Sequence, residues 1–173
     1  MTNQELIRQY VDSGLSIPEY QFNKLSPNLK KTYIRKRLIR VGINEGYYRN
    51  ILYDWEFNIL DANQIKQYID YPMGIEENHF SRLSDNMKKA YLEKRLNNLH
   101  SVETDPYREG IVFFLDDWEI KSLDSKQLEK YKEECMRIAT TQDSHGDFFE
   151  LPDSAYDILS KQQKMKLDKI WNV

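Results

Sequence analysis

Cysteine is nearly missing from this chain: Cys135 is the single one among 173 residues. A lone thiol excludes an intramolecular disulfide framework and a thiolate metal cluster, and it fits a reducing compartment. Glycine and proline are also scarce, at six and five, which argues against a loop-rich or β-sandwich design. No stretch reaches the ~20 consecutive apolar residues that a membrane span requires. Residues 1–12 alternate polar and apolar side chains without the apolar core of a signal peptide. A chain made and kept in a cytoplasm, without membrane contact, is the expectation. The net charge of −3 is small, so a general electrostatic sponge for nucleic acid is not expected, although local basic patches stay open.

Catalytic signatures are missing too. The chain has no Gly-x-Ser-x-Gly elbow, no Gly-rich phosphate loop and no His-Glu-x-x-His pair. His79, His100 and His145 fall in different parts of the chain. Asp143, His145 and Asp147, with Glu150 near, offer oxygen and nitrogen ligands at close spacing. They lack the glycine and distal glutamate of a calcium loop, so a solvated loop is the expected reading. Cys135 stands beside Met136 in a helical stretch, and a small buried hydrophobe is its default role. The expectation is a protein with no catalytic residues, no metal and no cofactor.

What is present is a repeat. Residues 22–38 align without gaps to residues 80–96, from Phe22-Asn23-Lys24-Leu25-Ser26 on Phe80-Ser81-Arg82-Leu83-Ser84 through to Lys36-Arg37-Leu38 on Lys94-Arg95-Leu96. A second pair sets Asp54-Trp55-Glu56 on Asp117-Trp118-Glu119. Both share a deeper pattern: a bulky residue, Leu three later, Ser or Asp next, and Tyr eight after the Leu. It reads Phe22/Leu25/Ser26/Tyr33, Phe57/Leu60/Asp61/Tyr68, Phe80/Leu83/Ser84/Tyr91 and Ile120/Leu123/Asp124/Tyr131. Tyr156/Leu159/Ser160/Leu167 is a degenerate fifth copy, and Asn3 to Tyr10 resembles a copy without its first half.

Local chemistry explains the motif. Ser26, Asp61, Ser84, Asp124 and Ser160 are expected helix N-caps, their side-chain oxygens accepting free backbone N–H groups. Pro27 then stands at the first helical position, where its missing donor costs nothing. A short helix precedes each cap, with Ser16 and Glu19 as a capping box and Asp54, Asp117 and Asp153 as further caps. Each unit is therefore a short helix, a turn and a longer helix. One unit cannot bury its own apolar face, so neighbours must stack. The expected architecture is all-α, one domain over 1–173 of tandem helix pairs in a compact solenoid-like array. Its units are 1–12, 13–41, 50–70, 71–99, 113–135 and 151–173, with an insertion loop at 136–150. Two unit types alternate, marked by Leu15 or Met73 seven residues before the bulky residue, or by Leu52, Leu115 or Leu151 five before it.

Tyr33, Tyr68, Tyr91 and Tyr131 recur at one position, as core residues do, and burial is expected for all four. Trp55 and Trp118 share another slot and read as wedges between units; Trp171 closes the last helix. His79, beside Phe80, is expected to cap or pack at a short helix. At about 100° per residue, Arg37 and Arg95 fall inside the apolar span of their helices. They are expected to pair with acidic groups of the following unit, Asp54 and Glu56 or Asp117 and Glu119, or with helix-end carbonyls. Lys31, Arg35, Lys36, Arg40, Lys89 and Lys94 are the candidate partner-facing cations.

Repeats of this kind offer an extended surface and act by binding other macromolecules. A non-enzymatic protein–protein role is the expected function. The alternative is nucleic-acid binding by the basic helices around 30–40 and 88–95, where Tyr is interleaved with Lys and Arg. The richness in Tyr, Asn, Lys and Ile is what AT-rich codons favour, and with the Leu-Ser-x-x-x-Lys-x-x-Tyr repeats it resembles phage-encoded proteins as a general type. That resemblance implies a virion component, or an accessory factor acting on a host protein in the host cytoplasm.

Overall fold

The oxygens that the motif places before each long helix do find backbone donors. In a computed structural model that describes residues 3–42, 51–70, 74–99, 114–142 and 148–171, Asp61 Oδ1 accepts from the N–H groups of Asn63 and Gln64 at 2.9 Å each. Gln64 Oε1 accepts the Asp61 N–H in return at 2.9 Å, which closes a capping box. Asp124 with Gln127 and Ser160 with Gln163 repeat the exchange. Ser26 and Ser84 make longer cap bonds of 3.4 Å to Leu29 N and Met87 N. All five caps stand immediately before the long helices α3 (Pro27–Gly42), α5 (Ala62–Ile69), α7 (Asp85–Asn98), α9 (Ser125–Ala139) and α11 (Lys161–Trp171). The N-terminal α1 (Asn3–Ser13) is a sixth long helix, and the described residues contain no β-strand, only an isolated antiparallel bridge between Gln142 and Phe148.

The short helices start elsewhere than expected. They are α2 (Glu19–Asn23), α4 (Asp54–Asn58), α6 (Glu77–Ser81), α8 (Asp117–Lys121) and α10 (Asp153–Asp157). Their N-caps are Pro18, Tyr53, Glu76, Asp116 and Pro152, so Asp54, Asp117 and Asp153 are first helical residues and Ser16 lies outside. In α4 and α8 the register is set from inside the helix. Glu56 Oε2 accepts the Tyr53 N–H at 2.8 Å, and Glu119 Oε2 the Asp116 N–H at 2.7 Å. That half of a capping box needs no side-chain oxygen on the cap residue itself.

Two further expectations are corrected. The insertion does not begin at Met136, because α9 runs on to Ala139; Ile138 and Ala139 are buried, and that burial holds the last turn in helix. The two unit types merge at one slot. Leu15 is exposed, whereas Ile17 and Ile75 are buried five residues before their bulky residue, as Leu52 and Leu115 are. Met73 lies outside the described residues, as does the segment from Asp143 to Asp147.

The chain divides into two compact units, residues 1–87 and 88–173. In the first, α1 packs on α3 and α3 on α5. The end of α1 comes close to α3 because Gly14 sits at φ +67°, and a Cβ there would stand 2.6 Å from the Lys36 carbonyl oxygen. Only glycine satisfies both demands. Val11, Phe22, Tyr33, Leu38, Leu52, Phe57, Tyr68 and Ile75 form the interior of this unit. In the second unit α9 packs against α10 and α11, around a cluster that includes Leu96, Leu115, Tyr131, Cys135, Ala155 and Leu167.

Candidate functional site

Tyr33, Tyr68, Tyr91 and Tyr131 are all fully buried, as expected from their fixed position. A buried phenol must bond its hydroxyl, and the repeats solve this in three ways. Tyr33 donates to Glu56 Oε1 and accepts the Ile17 N–H at 3.2 Å. Arg37, four residues after Tyr33 and so on the same helix face, grips the same carboxylate. Its Nε meets Glu56 Oε1 at 2.8 Å and its Nη2 meets Oε2 at 3.0 Å. Nη2 also donates to the Ile51 carbonyl at 2.8 Å. The tyrosine, arginine and glutamate of the cluster recur in the second unit. Tyr91 donates to Glu119 Oε1, while Arg95 reaches Oε1 at 2.8 Å, Oε2 at 3.0 Å and the Phe114 carbonyl at 3.0 Å.

These pairs are almost dry: Arg37 is 5% exposed, Arg95 2%, and Glu56 and Glu119 0%. Burial by itself lowers an arginine's affinity for its proton, but the bonds and charge of the glutamate outweigh it and both guanidinium groups are held more firmly protonated than usual. The fork geometry suits a two-point grip on a carboxylate. Tyr33 is pushed far above its ordinary range, by burial first and then by Glu56. The tryptophans complete each junction. Trp55 stacks on Tyr33 at 6.0 Å and contacts Phe22 at 5.1 Å, and Trp118 stacks on Tyr91 at 6.2 Å. Trp171 stacks on Tyr156 at 6.3 Å and donates to the Ala139 carbonyl at 3.2 Å.

In the next copy His79 takes the slot of Glu56, the residue just before the bulky one, a substitution that sequence alignment by charge does not reveal. Its Nδ1 lies 3.2 Å from the Tyr68 hydroxyl and its Nε2 3.1 Å from Asp54 Oδ1. The ring stacks on Phe57 at 4.4 Å. Burial pulls the His79 pKa below its ordinary value, with Asp54 opposing. A neutral ring carrying its proton on Nε2 satisfies both partners. In the copy at Tyr131, the arginine slot holds Cys135 and the glutamate slot holds Ala155, both fully buried. Tyr131 there accepts the Leu115 N–H at 3.2 Å. Burial drives the Tyr131 hydroxyl well above its usual range and pushes the Cys135 thiol up to about 12. In these copies arginine and glutamate are therefore kept together or lost together.

The candidate partner-facing cations separate. Lys31 and Arg35 on α3 are exposed, as is Lys89 on α7; Lys36, Arg40 and Lys94 are half-buried. Arg40 and Lys36 lie where Gly14 brings the end of α1 down on α3, the Arg40 Cβ being 3.0 Å from a Cβ built on Gly14. That close packing is why they do not stand out as the helix wheel alone suggests. Lys89 borders a cleft of about 340 Å³ whose rim also carries Glu93, Asp124, Lys126 and Lys130, a surface of mixed sign. Lys130 Nζ donates to Asn97 Oδ1 at 2.6 Å.

A second concavity, of about 520 Å³, lies in the first unit between α1 and α2 and is lined by Ile7, Tyr10, Ile17, Pro18, Tyr20 and Lys24. Tyr10 holds the slot of the four buried tyrosines, yet it is 39% exposed, and Tyr20 beside it is 61% exposed. Lys24 Nζ stands 5.6 Å over the Tyr20 ring. Among the described residues, no group of three or more His, Cys, Asp or Glu side chains converges as a metal site would require, and no helix is long and apolar enough to cross a membrane. Comparison with protein-family models, with curated proteins and with solved structures finds no match for this chain.

Proposed function

We propose that the chain is a non-enzymatic helical-repeat protein, its units stacked in a solenoid-like array, that works by binding another protein. The observation that carries this reading is how polar and apolar groups are distributed. The recurring ionisable residues, Arg37, Glu56, Arg95 and Glu119, are buried in the junctions between consecutive helix pairs, where bonds to one another satisfy them. Large apolar groups are left outside among the charged ones, with Tyr10, Leu15 and Tyr20 all more than a third exposed in the first unit. Exposed aromatics beside a concavity are what protein interfaces are enriched in. A phage virion component or accessory factor, in the virion or the host cytoplasm, is the setting that composition and repeat style favour.

One observation favours nucleic acid as the second reading. α3 contains no acidic residue, and Lys31 and Arg35 stand exposed on it. Against it, Arg35 is replaced by Glu93 in the matching position of α7, so the basic stripe is not repeated. Affinity purification of the tagged chain from its native cell or virion, followed by mass spectrometry and a nuclease-sensitivity check, tests both. A stoichiometric protein partner that survives nuclease supports the first reading. Recovery of nucleic acid alone, lost with Lys31→Glu/Arg35→Glu, overturns it in favour of the second.

A further inference from the structure

In the copies at Phe22 and Phe57 the bulky residue of the short helix packs against the tyrosine of its own long helix and an aromatic ring of the following short helix. At Phe22, Lys30 Nζ lies 5.3 Å over the ring, Tyr33 packs at 5.5 Å, and Trp55 of the following short helix at 5.1 Å. In the next copy the cation comes instead from the end of the following short helix. Arg82 covers the Phe57 ring at 5.2 Å and reaches Asp54, the first residue of the same short helix, at 3.7 Å. Carried one step toward the N-terminus, these four slots are Ile7 for Lys30, Tyr10 for Tyr33, Tyr20 for Trp55 and Lys24 for Arg82. All four line the 520 Å³ groove. The walls of an aromatic seat are thus present, and Tyr10, whose counterparts Tyr33, Tyr68, Tyr91 and Tyr131 are buried, is open to solvent there.

We infer that this groove is a docking site for a short helical segment of a partner protein, one carrying an acidic residue, an aromatic three residues later and a leucine three after that. The inference rests on the protein-binding reading above and names the chemistry of the bound segment. The internal copies supply that chemistry. The short helices start on an acidic residue in every case, Glu19, Asp54, Glu77, Asp117 and Asp153. In the Phe57 copy the cation that covers the ring, Arg82, also reaches that acid, Asp54. Lys24 on the groove rim is placed to take the same acid and to cover the incoming aromatic, giving the segment both a charge and a ring contact. A second copy of the chain is the poorer occupant. Its own bulky residues Phe22, Phe57, Phe80 and Ile120 are already buried, so donating one would empty a seat to fill a seat.

The test uses the full chain and, as probe, a fluorescein-labelled synthetic peptide with the sequence of residues 50–61, which carries Asp54, Phe57 and Leu60. Saturable binding in fluorescence anisotropy is expected, weakened about tenfold or more by Tyr10→Ala or by Phe57→Ala in the peptide. Lys24→Glu in the chain should weaken binding similarly, and Asp54→Lys in the peptide should restore it. Lys24 is exposed, so its reversal leaves the fold intact, which an unchanged thermal melt confirms. The proposal is overturned if the peptide does not bind at millimolar concentration, or if binding ignores Tyr10 and Lys24 and so reports exchange with an internal seat. It is overturned equally if sedimentation finds a dimer that Lys24→Glu dissociates, because a second copy then holds the groove. Failure of the peptide with continued recovery of a protein partner from cells removes this site and leaves the protein-binding reading standing.

Discussion

Glu119→Leu should be among the most damaging single changes in the second unit, and pairing it with Arg95→Met should repair most of the damage. Glu119 is fully buried and accepts from Arg95 twice, from Tyr91 and from the Asp116 N–H. Removing it strands a guanidinium that is 2% exposed, and breaking one side of a buried pair costs about 3–5 kcal/mol. Arg95→Met strands the carboxylate instead, with Tyr91 and Asp116 as its remaining donors, and should cost a similar amount. The double variant fills the volume with apolar atoms and buries no charge. Replacements of that kind come out near neutral or cost up to about 2 kcal/mol. The two single losses together far exceed the loss in the double, which gives a coupling of several kcal/mol. The chain already contains the apolar solution, since Cys135 and Ala155 occupy these slots around Tyr131. Urea unfolding of the three variants, followed by far-ultraviolet circular dichroism, measures the cycle. Additive losses, or a Glu119→Leu cost below about 1 kcal/mol, would refute the view that the pair exists to neutralise itself.

Three further outcomes are expected. Gly14→Ala should destabilise by about 1–3 kcal/mol, because φ is +67° and the new Cβ meets the Lys36 carbonyl at 2.6 Å; a denaturation midpoint equal to the parent's would contradict this. His79 has a folded pKa below its ordinary 6.5, so the stability it contributes is complete above pH 6.5 and is lost as pH falls through the folded value. The parent should therefore lose stability relative to His79→Phe between pH 7.5 and 5, and parallel pH profiles would show that His79 is not the responsible group. Cys135, buried with its thiol pushed up to about 12, should resist an aromatic disulfide reagent at pH 8 and react fully in urea; rapid native labelling would place the thiol at the surface.

What could be read from the sequence is what local chemistry decides. Ser26, Asp61, Ser84, Asp124 and Ser160 mark helix starts because an N-cap bond spans three residues and needs no tertiary partner. That Arg37 and Arg95 turn inward to a polar partner in the following unit follows from a helix wheel, since a charge on the apolar face has to find its opposite; that the partners are Glu56 and Glu119 and not Asp54 and Asp117 does not. The missed features depend on how backbones meet. Ile17 rather than Leu15 turns inward because the Ile17 N–H reaches the Tyr33 hydroxyl, a contact sixteen residues away. Lys36 and Arg40 are half-buried because α1 ends on Gly14 against α3, which no pattern within α3 encodes. Tyr10 was legible as a member of the tyrosine slot, but its exposure was not, because burial in that slot depends on what packs over the ring.

The variation around the tyrosines has a consequence for how the chain finds its own order. In all four copies the ring supplies the apolar contact, and by area alone the copies would be interchangeable partners. Tandem repeats are prone to mispairing for that reason. The polar tips remove the degeneracy. A helix bearing Tyr33 and Arg37 needs a carboxylate opposite it. Seated against His79 it would leave a guanidinium without its counter-ion, and against Ala155 it would leave that charge in an apolar pocket, at several kcal/mol. Glu56 or Glu119 opposite Tyr131 and Cys135 would be stranded in the same way. The histidine junction is marked separately, because His79 needs the Asp54 carboxylate from the preceding short helix to hold its Nε2 proton. Buried ion pairs are weak contributors to net stability but strong discriminators between partners. In this chain they occupy two of the four tyrosine junctions, and a junction of either other type cannot take their place without burying an unpaired charge.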